Sequence, residues 1–225
     1  SVMSVLAARE YLLSEQLLSH AGAIRTAGSV DSGTAHTDTL PVEQRRGISV
    51  KANCVSFMWK DVCVNLIDTP GHVDFSTEME RVLGVLDCAV LVISAADGVT
   101  GQVRTLWRLL EHYGVPAFLF VNKMDQNGAD RAALLTSVKK ELSTRCVDIM
   151  PAAGVSLAES LEDPDVQEEI AVCDDELMNA YFDGEMVTVP QICELTAGRR
   201  LFPVLFGAAL REQGVSELLE CLDTL

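Results

Sequence analysis

Apolar residues recur along this chain in two alternating rhythms. At 88–94 (CAVLVIS) and 116–121 (PAFLFV) they run almost unbroken, the pattern of parallel strands covered on both faces. Elsewhere they return every three or four positions. Met79, Val82, Leu83 and Leu86 do so within 76–86, and Leu134, Leu135, Val138 and Leu142 within 130–142. Those are helical stripes. A further helix is expected over 100–113, stopped by Gly114 and Pro116. Segments 48–58 and 62–67 read as a β-hairpin turning at Trp59-Lys60-Asp61, 203–206 as a last short strand and 215–225 as a last helix. Strand and helix in alternation predict a doubly wound, mostly parallel α/β sheet with helices on both faces. From about 145 to 200 the rhythm breaks. Residues 164–180 carry Asp165, Glu168, Glu169, Asp174, Asp175 and Glu176, followed by a turn at Asp183-Gly184. This stretch reads as a small helical, acidic subdomain inserted before the last strand.

Composition narrows the choice of partner. The 225 residues hold 33 acidic against 17 basic side chains, a formal net charge of −16. Nucleic-acid affinity is driven by neutralising phosphates, so a chain this acidic is not expected to bind DNA directly. Hydrophobic residues make up 48%, enough for a full core. No apolar run reaches the ~18 residues a membrane span needs. Seven cysteines occur without a Cys-x-x-Cys, so neither a zinc site nor a redox motif is indicated, and a reducing cytoplasm is the natural setting. Cys54, Cys63 and Cys88 lie in apolar runs and read as small core residues.

Sheets of this kind bind ligands at the carboxyl ends of their strands, and each polar motif falls just past one. Asp68-Thr69-Pro70-Gly71-His72 follows the strand ending at 67. A carboxylate at Asp68 can hold Mg²⁺ through a water molecule. Gly71 lets a backbone N–H approach a γ-phosphate with no Cβ in the way, and His72 is placed to orient an attacking water. Asn122-Lys123-Met124-Asp125 follows the strand at 116–121. Guanine presents N1–H and an exocyclic amino group, and the Asp125 carboxylate can accept from both, a pairing adenine cannot offer. Asn122 can bridge neighbouring loops, and the Lys123 stem can cover the base. Gly207-Ala208-Ala209-Leu210 follows the last strand, where small residues let a backbone N–H reach guanine O6. Arg45-Arg46-Gly47-Ile48-Ser49 precedes the hairpin, and the Ser49 hydroxyl could complete a Mg²⁺ shell. His20 and His112 stand at or near predicted helix ends, where a cation suits the dipole.

Together these residues resemble the GTP-binding domain of translation factors of the elongation factor G type. With Gln126-Asn127-Gly128 after the base motif, the resemblance leans toward the tetracycline-resistance ribosomal protection proteins. It covers nearly the whole chain through LSEQLLSHAGAIRTAGSVD at 13–31, EQRRGIS at 43–49, VSFMWKDVCVNLIDTPGHVDF at 55–75, LVISAADG at 91–98, FVNKMDQNG at 120–128, DELMNAYFDG at 175–184 and LFPVLFGAAL at 201–210. It implies a P-loop GTPase-like domain, GTP or GDP with Mg²⁺, and a ribosome-stimulated hydrolysis in which His72 orients the water. By this resemblance Asp68, Gly71, Asn122, Lys123, Asp125, Ala208 and Ala209 contact nucleotide, and Ser49 and Asp68 hold the metal. Ser49 stands where threonine is usual, and Ala208 where serine is common. The family continues into a β-barrel domain past this point, so the chain reads as an N-terminal piece of a longer protein.

One segment departs from the family. Between a strand resembled by Val5-Leu6-Ala7 and a helix resembled by Leu13-Ser14-Glu15-Gln16-Leu17, the family carries a glycine-rich phosphate loop with a lysine and a hydroxyl. Here stands Ala8-Arg9-Glu10-Tyr11-Leu12, with no glycine, lysine, serine or threonine. Glycines let successive N–H groups converge on phosphate, lysine neutralises its charge and the hydroxyl holds Mg²⁺. Losing three contacts of about 2 kcal/mol each would weaken binding by more than ~10⁴-fold. The chain is therefore expected to be empty of nucleotide and inactive as it stands. Three readings stay open: the loop differs from that of the native gene, the protein is a natural pseudo-GTPase kept for ribosome or protein contacts, or nucleotide is held by its guanine end alone. Taken by itself, 9–19 reads as one helix that can run on from 2–6.

Overall fold

The computed structural model describes residues 2–6, 11–22, 53–69 and 83–225. Ser49, Gly71 and His72, the segment 7–10 and most of the helix expected at 76–86 lie outside the described residues, and Asp68 is placed by its backbone alone. Among the described residues seven strands form one sheet. They are β1 (Val2–Leu6), β2 (Asn53–Trp59), β3 (Val62–Thr69), β4 (Cys88–Ser94), β5 (Ala117–Asn122), β6 (Cys146–Asp148) and β7 (Phe202–Phe206), in the spatial order β2-β3-β1-β4-β5-β7-β6. Of these, only the β2–β3 hairpin is antiparallel; the other neighbours run parallel.

The described helices are α1 (Tyr11–His20), α2 (Gly101–His112), α3 (Arg131–Glu141), α4 (Leu157–Leu161), α5 (Pro164–Ala171), α6 (Asp175–Phe182), α7 (Val189–Ala197) and α8 (Val215–Thr224). Their starts are written locally. Thr100 caps α2 by accepting from the Val103 N–H at 3.3 Å, and Asp130 caps α3 from Ala133 at 3.1 Å. Asp163 caps α5 with Pro164 in its first turn, and Ser156 with Glu159 makes a capping box at α4.

Alternation along the central strands divides the core between the two faces of the sheet. Val90, Val92, Phe118, Phe120 and Leu205 face Leu13 and Leu17 of α1 and Leu218 of α8. Ala89, Leu91, Ile93, Leu119 and Val121 face Val103, Leu106, Trp107 and Leu110 of α2. Each large apolar side chain among these contributes about 1.5–3 kcal/mol on full burial, so β4 and β5 form the rigid centre from which the polar loops leave.

Several boundaries differ from the sequence reading. The continuous helix over 2–6 and 9–19 is corrected: 2–6 is a strand, because it has β3 and β4 to pair with on either side. β3 runs on through Thr69, so Asp68 is within the strand, held between Val5 and Asn53. The helix expected to 86 has already ended at Gly84. On α3 only Val138 is fully buried, while Leu134, Leu135 and Leu142 are half covered. Cys63 is corrected from core to surface. It lies opposite Met58 in the hairpin, and both point to solvent while Phe57 and Val64 point inward. Cys88 is half-buried.

The 145–200 stretch opens with β6, which adds to the sheet edge beside β7. Its helical part packs Leu157, Leu161, Val166, Ile170, Ile192 and Leu195 into the same core as Val90 and Phe118. Gln167, buried, ties the stretch internally by donating to the Leu161 and Val187 carbonyls at 2.6 and 3.0 Å and accepting from the Val187 N–H at 2.7 Å. No described helix is long and apolar enough to cross a membrane.

Candidate guanine-recognition site

The parallel register brings the ends of three strands level: Ser94 lies beside Asn122, and Val121 beside Phe206. The loops leaving β5 and β7 are therefore neighbours. Asn122 closes β5 with 2% of its surface exposed. Its Oδ1 accepts from the Ala209 N–H at 2.8 Å and from the Lys123 N–H at 2.9 Å. Both acceptor positions of one oxygen are thus used, one of them across 87 residues of sequence. The loops are laced further by the Gly207 N–H to Val121 O at 2.9 Å and the Met124 N–H to Gly207 O at 3.0 Å.

Backbone conformation shows how tightly this corner is drawn. Lys123 has φ +66°, a left-handed conformation that costs a non-glycine residue about 1–2 kcal/mol. A Cβ on Gly207 would meet the Gln213 carbonyl oxygen at 2.3 Å and the Phe120 ring at 2.7 Å, so only glycine fits. Gly214, at φ +80°, closes the same loop, and Ala208 and Gln213 exchange two backbone bonds at 3.0 and 3.1 Å. Ala208 and Ala209 are both buried.

Asp125 leaves this platform with its backbone at the surface and its side chain 19% exposed. Its Oδ2 meets the Nε of Arg211, a residue 64% exposed, at 2.9 Å. Arg211 ends a 3₁₀ turn at Ala209–Arg211 and follows Leu210, which is 71% exposed. Arg131, six residues beyond Asp125, braces the platform from below. It makes two bonds to the Asp148 carboxylate at 2.6 and 2.7 Å, a third to Met150 O at 2.5 Å, and stacks on the Phe206 ring at 4.5 Å.

The sequence reading placed Asn122, Lys123, Asp125, Ala208 and Ala209 in one site, and the structure gathers all five. It also shows a detail the motif does not carry. The Ala209 N–H, read as the donor to guanine O6, donates to Asn122 here, so reaching a ligand means sharing or releasing that bond. Arg211, Arg131 and Gln213 were missed. Arg131 acts through Asp148, 17 residues on; Gln213 acts through backbone bonds to Ala208 that its residue type does not betray; and Arg211 had only its nearness to Gly207-Ala208-Ala209 as a signal. A cleft of about 450 Å³ lies beside the loop, lined by Met124, Arg131, Met150, Phe206 and Gln213, but Asp125 is not among its walls. It is distinct from the base site.

The acceptor at Asp125 suits guanine's two donors: one carboxylate, its side chain 19% exposed, beside the buried Ala208 and Ala209. Of the two residues expected to serve Mg²⁺, Asp68 stands by its backbone near the carboxyl end of β3, beside Val5 of β1, and Ser49 lies outside the described residues. No group of three or more His, Cys, Asp or Glu able to hold a metal occurs among the described residues.

Comparison with known proteins gives the family and the fold. The oxytetracycline resistance protein of Streptomyces rimosus is 40% identical over 229 residues, covering 95% of this chain. The tetracycline resistance protein TetW of Butyrivibrio fibrisolvens is 40% identical over 222 residues, again with 95% covered. The chain spans 34% of the length of each. The crystal structure of a Thermus thermophilus protein, ttk003000868, superposes with a TM-score of 0.84 at 25% identity, over 100% of this chain and 40% of that one. Residues 12–225 match the elongation factor Tu GTP binding domain, and the chain belongs to that family.

Proposed function

We propose that this chain is the guanine-nucleotide domain of a ribosome-associated GTPase of the ribosomal protection type, acting in the cytoplasm, with GTP or GDP and Mg²⁺ as its ligands. The observation that carries the reading is the Asn122 bridge, which fixes the β5 and β7 loops to each other and sets Asp125 at their rim. In this reading Asp125 accepts from guanine N1–H and its amino group, the Lys123 stem covers the base, and Ala208 and Ala209 keep the approach to O6 open. Asp68 and Ser49 serve Mg²⁺, Gly71 faces the γ-phosphate and His72 orients the water. The names of the relatives support the ribosomal protection branch over translocation. The free thiols of the described cysteines suit a reducing compartment.

In the same reading the phosphate end is crippled. Ala8-Arg9-Glu10-Tyr11-Leu12 offers no converging glycine N–H groups and places a carboxylate where phosphate must come. This chain is then nucleotide-free and inactive, whatever the native gene encodes. That composition also favours a second reading, a pseudo-GTPase kept for ribosome or protein contacts.

Calorimetry with Mg²⁺ separates them. The chain should give no heat with GDP or GTP up to high micromolar concentration. A variant with a glycine-lysine-threonine loop at 8–12 should bind GDP over ADP, and Asp125→Ala in that background should abolish the preference. A restored variant that binds neither nucleotide, or prefers ADP, would overturn the guanine reading. A native gene lacking the loop would favour the pseudo-GTPase.

A further inference from the structure

We infer that Arg211 is a latch on the guanine-reading carboxylate: it occupies Asp125 when no base is bound, and guanine enters by displacing it, so Arg211 sets nucleotide affinity. The inference rests on the reading of Asp125 as the guanine acceptor.

The contact is placed by the fold. Arg211 ends the 3₁₀ turn that begins at Ala209, the residue Asn122 holds. Its own N–H donates to Ala208 O at 2.9 Å, and Glu212 behind it takes a left-handed φ of +60°. Gly207 and Gly214 close the loop with no room for a Cβ at the first and a left-handed backbone at the second. The backbone that presents Arg211 is thus fixed, while its side chain, 64% exposed, is free to swing. Asp125, its side chain 19% exposed, follows directly on the Asn122–Lys123 corner that the Ala209 bond fixes.

The competition follows from hydrogen-bond inventory. Guanine needs both carboxylate oxygens, one for N1–H and one for its amino group. Arg211 Nε forms an ion pair with Oδ2 at 2.9 Å, so a cation stands where one of those donors must come. A ligand with a single donor toward Asp125 replaces that ion pair with one hydrogen bond; guanine replaces it with two. Exposed pairs are worth about 0.2–1 kcal/mol. Release of the latch should therefore change affinity by roughly 1.4- to 5-fold, with a salt dependence that the neutral variant lacks.

The test uses the chain as it is, with GDP and ADP at millimolar concentration and saturation-transfer NMR, which reads weak binding. The Arg211 Nε–H resonance is followed in parallel. Arg211→Gln should tighten GDP roughly 1.4- to 5-fold and leave ADP unchanged, and raising salt should strengthen GDP binding in the parent more than in the variant. Asp125→Asn should shift the Arg211 Nε–H resonance and remove the GDP preference. Binding that is sensitive to Asp125→Asn but equal or weaker in Arg211→Gln overturns the latch and leaves the guanine reading standing. No GDP binding by any variant, with the Nε–H resonance still moved by Asp125→Asn, overturns the guanine reading and the latch with it.

Discussion

The proposed base end and the phosphate segment at 8–12 are specified in different ways. At the base end a strand-terminal asparagine, a glycine with no space for a Cβ and two buried alanines hold two loops together through bonds within the protein. That platform needs no ligand to exist. A phosphate loop is different: its geometry serves the ligand, its N–H groups have phosphate as their partner, and glycine and lysine confer no packing in return. Such a loop serves the ligand and not the core, so a sequence can lose it and keep its fold. The base end cannot be lost so easily, since Asn122, Gly207 and Ala209 also close the loops after β5 and β7.

The largest effect expected from this contrast is at Asn122. Asn122→Ala leaves the Ala209 and Lys123 N–H groups without their acceptor in a site 2% exposed. At about 1–3 kcal/mol for each orphaned group, the loss should be roughly 2–6 kcal/mol in denaturant unfolding. A loss under ~0.5 kcal/mol would mean that the bridge is idle. Next is Gly207→Ala, whose methyl would stand 2.3 Å from the Gln213 carbonyl oxygen. Overpacking of this kind should cost about 1–3 kcal/mol, and a neutral result would show that the loop shifts freely. Arg131→Met probes the same platform from below. It strips the bidentate partner from Asp148, which is 9% exposed, and should cost about 2 kcal/mol, reduced when Asp148→Asn is added. By contrast, substituting glycine for Ala8 and Arg9 should change stability by less than ~1 kcal/mol, the ordinary cost of glycine in the chain. A larger loss would break the contrast by giving the phosphate segment a structural duty.

What could be read beforehand follows the same division. Asn122 and Asp125 were legible because they sit within one short motif, directly after an unbroken apolar strand. The order of motifs then fixed the fold, since each marks the carboxyl end of a parallel strand. The Asn122–Ala209 bond was not legible as geometry, because a motif gives residue types but not which oxygen takes which N–H. The pairs Arg131–Asp148 and Asp125–Arg211 join polar residues across long separations, with no periodicity to betray them. β6 escaped because three residues carry no alternation that can be counted. Cys63 was misread because an outer hairpin strand covers one face only, so a thiol among apolar neighbours can still point to water.

At neutral pH the thiols give no effect of this kind, but alkaline pH makes them probe the frame without touching the site. Cys146 on β6 is fully buried, and burial pushes its thiol up to about 12; Cys173 on the neighbouring helical stretch is raised to about 11 by the same cause. In the unfolded chain a thiol releases its proton near ~8.5. Above that pH the unfolded state binds fewer protons than the folded one, so stability must fall as pH rises and is fully present only below it. Each buried thiol adds at most about 1.4 kcal/mol of loss per pH unit between ~8.5 and its folded value. Denaturant unfolding from pH ~7 to ~10.5 should show this decline, and Cys146→Ala should have a shallower slope even though its stability at neutral pH is lower. Alkylation of the native chain at mildly alkaline pH should mark Cys63, exposed on the hairpin, while Cys146 and Cys221 react only after denaturation. A native-state rate at Cys146 comparable to that at Cys63 would mean that the β6–β7 edge opens readily. The platform that depends on β7 would then be no more rigid than the loops it is said to hold.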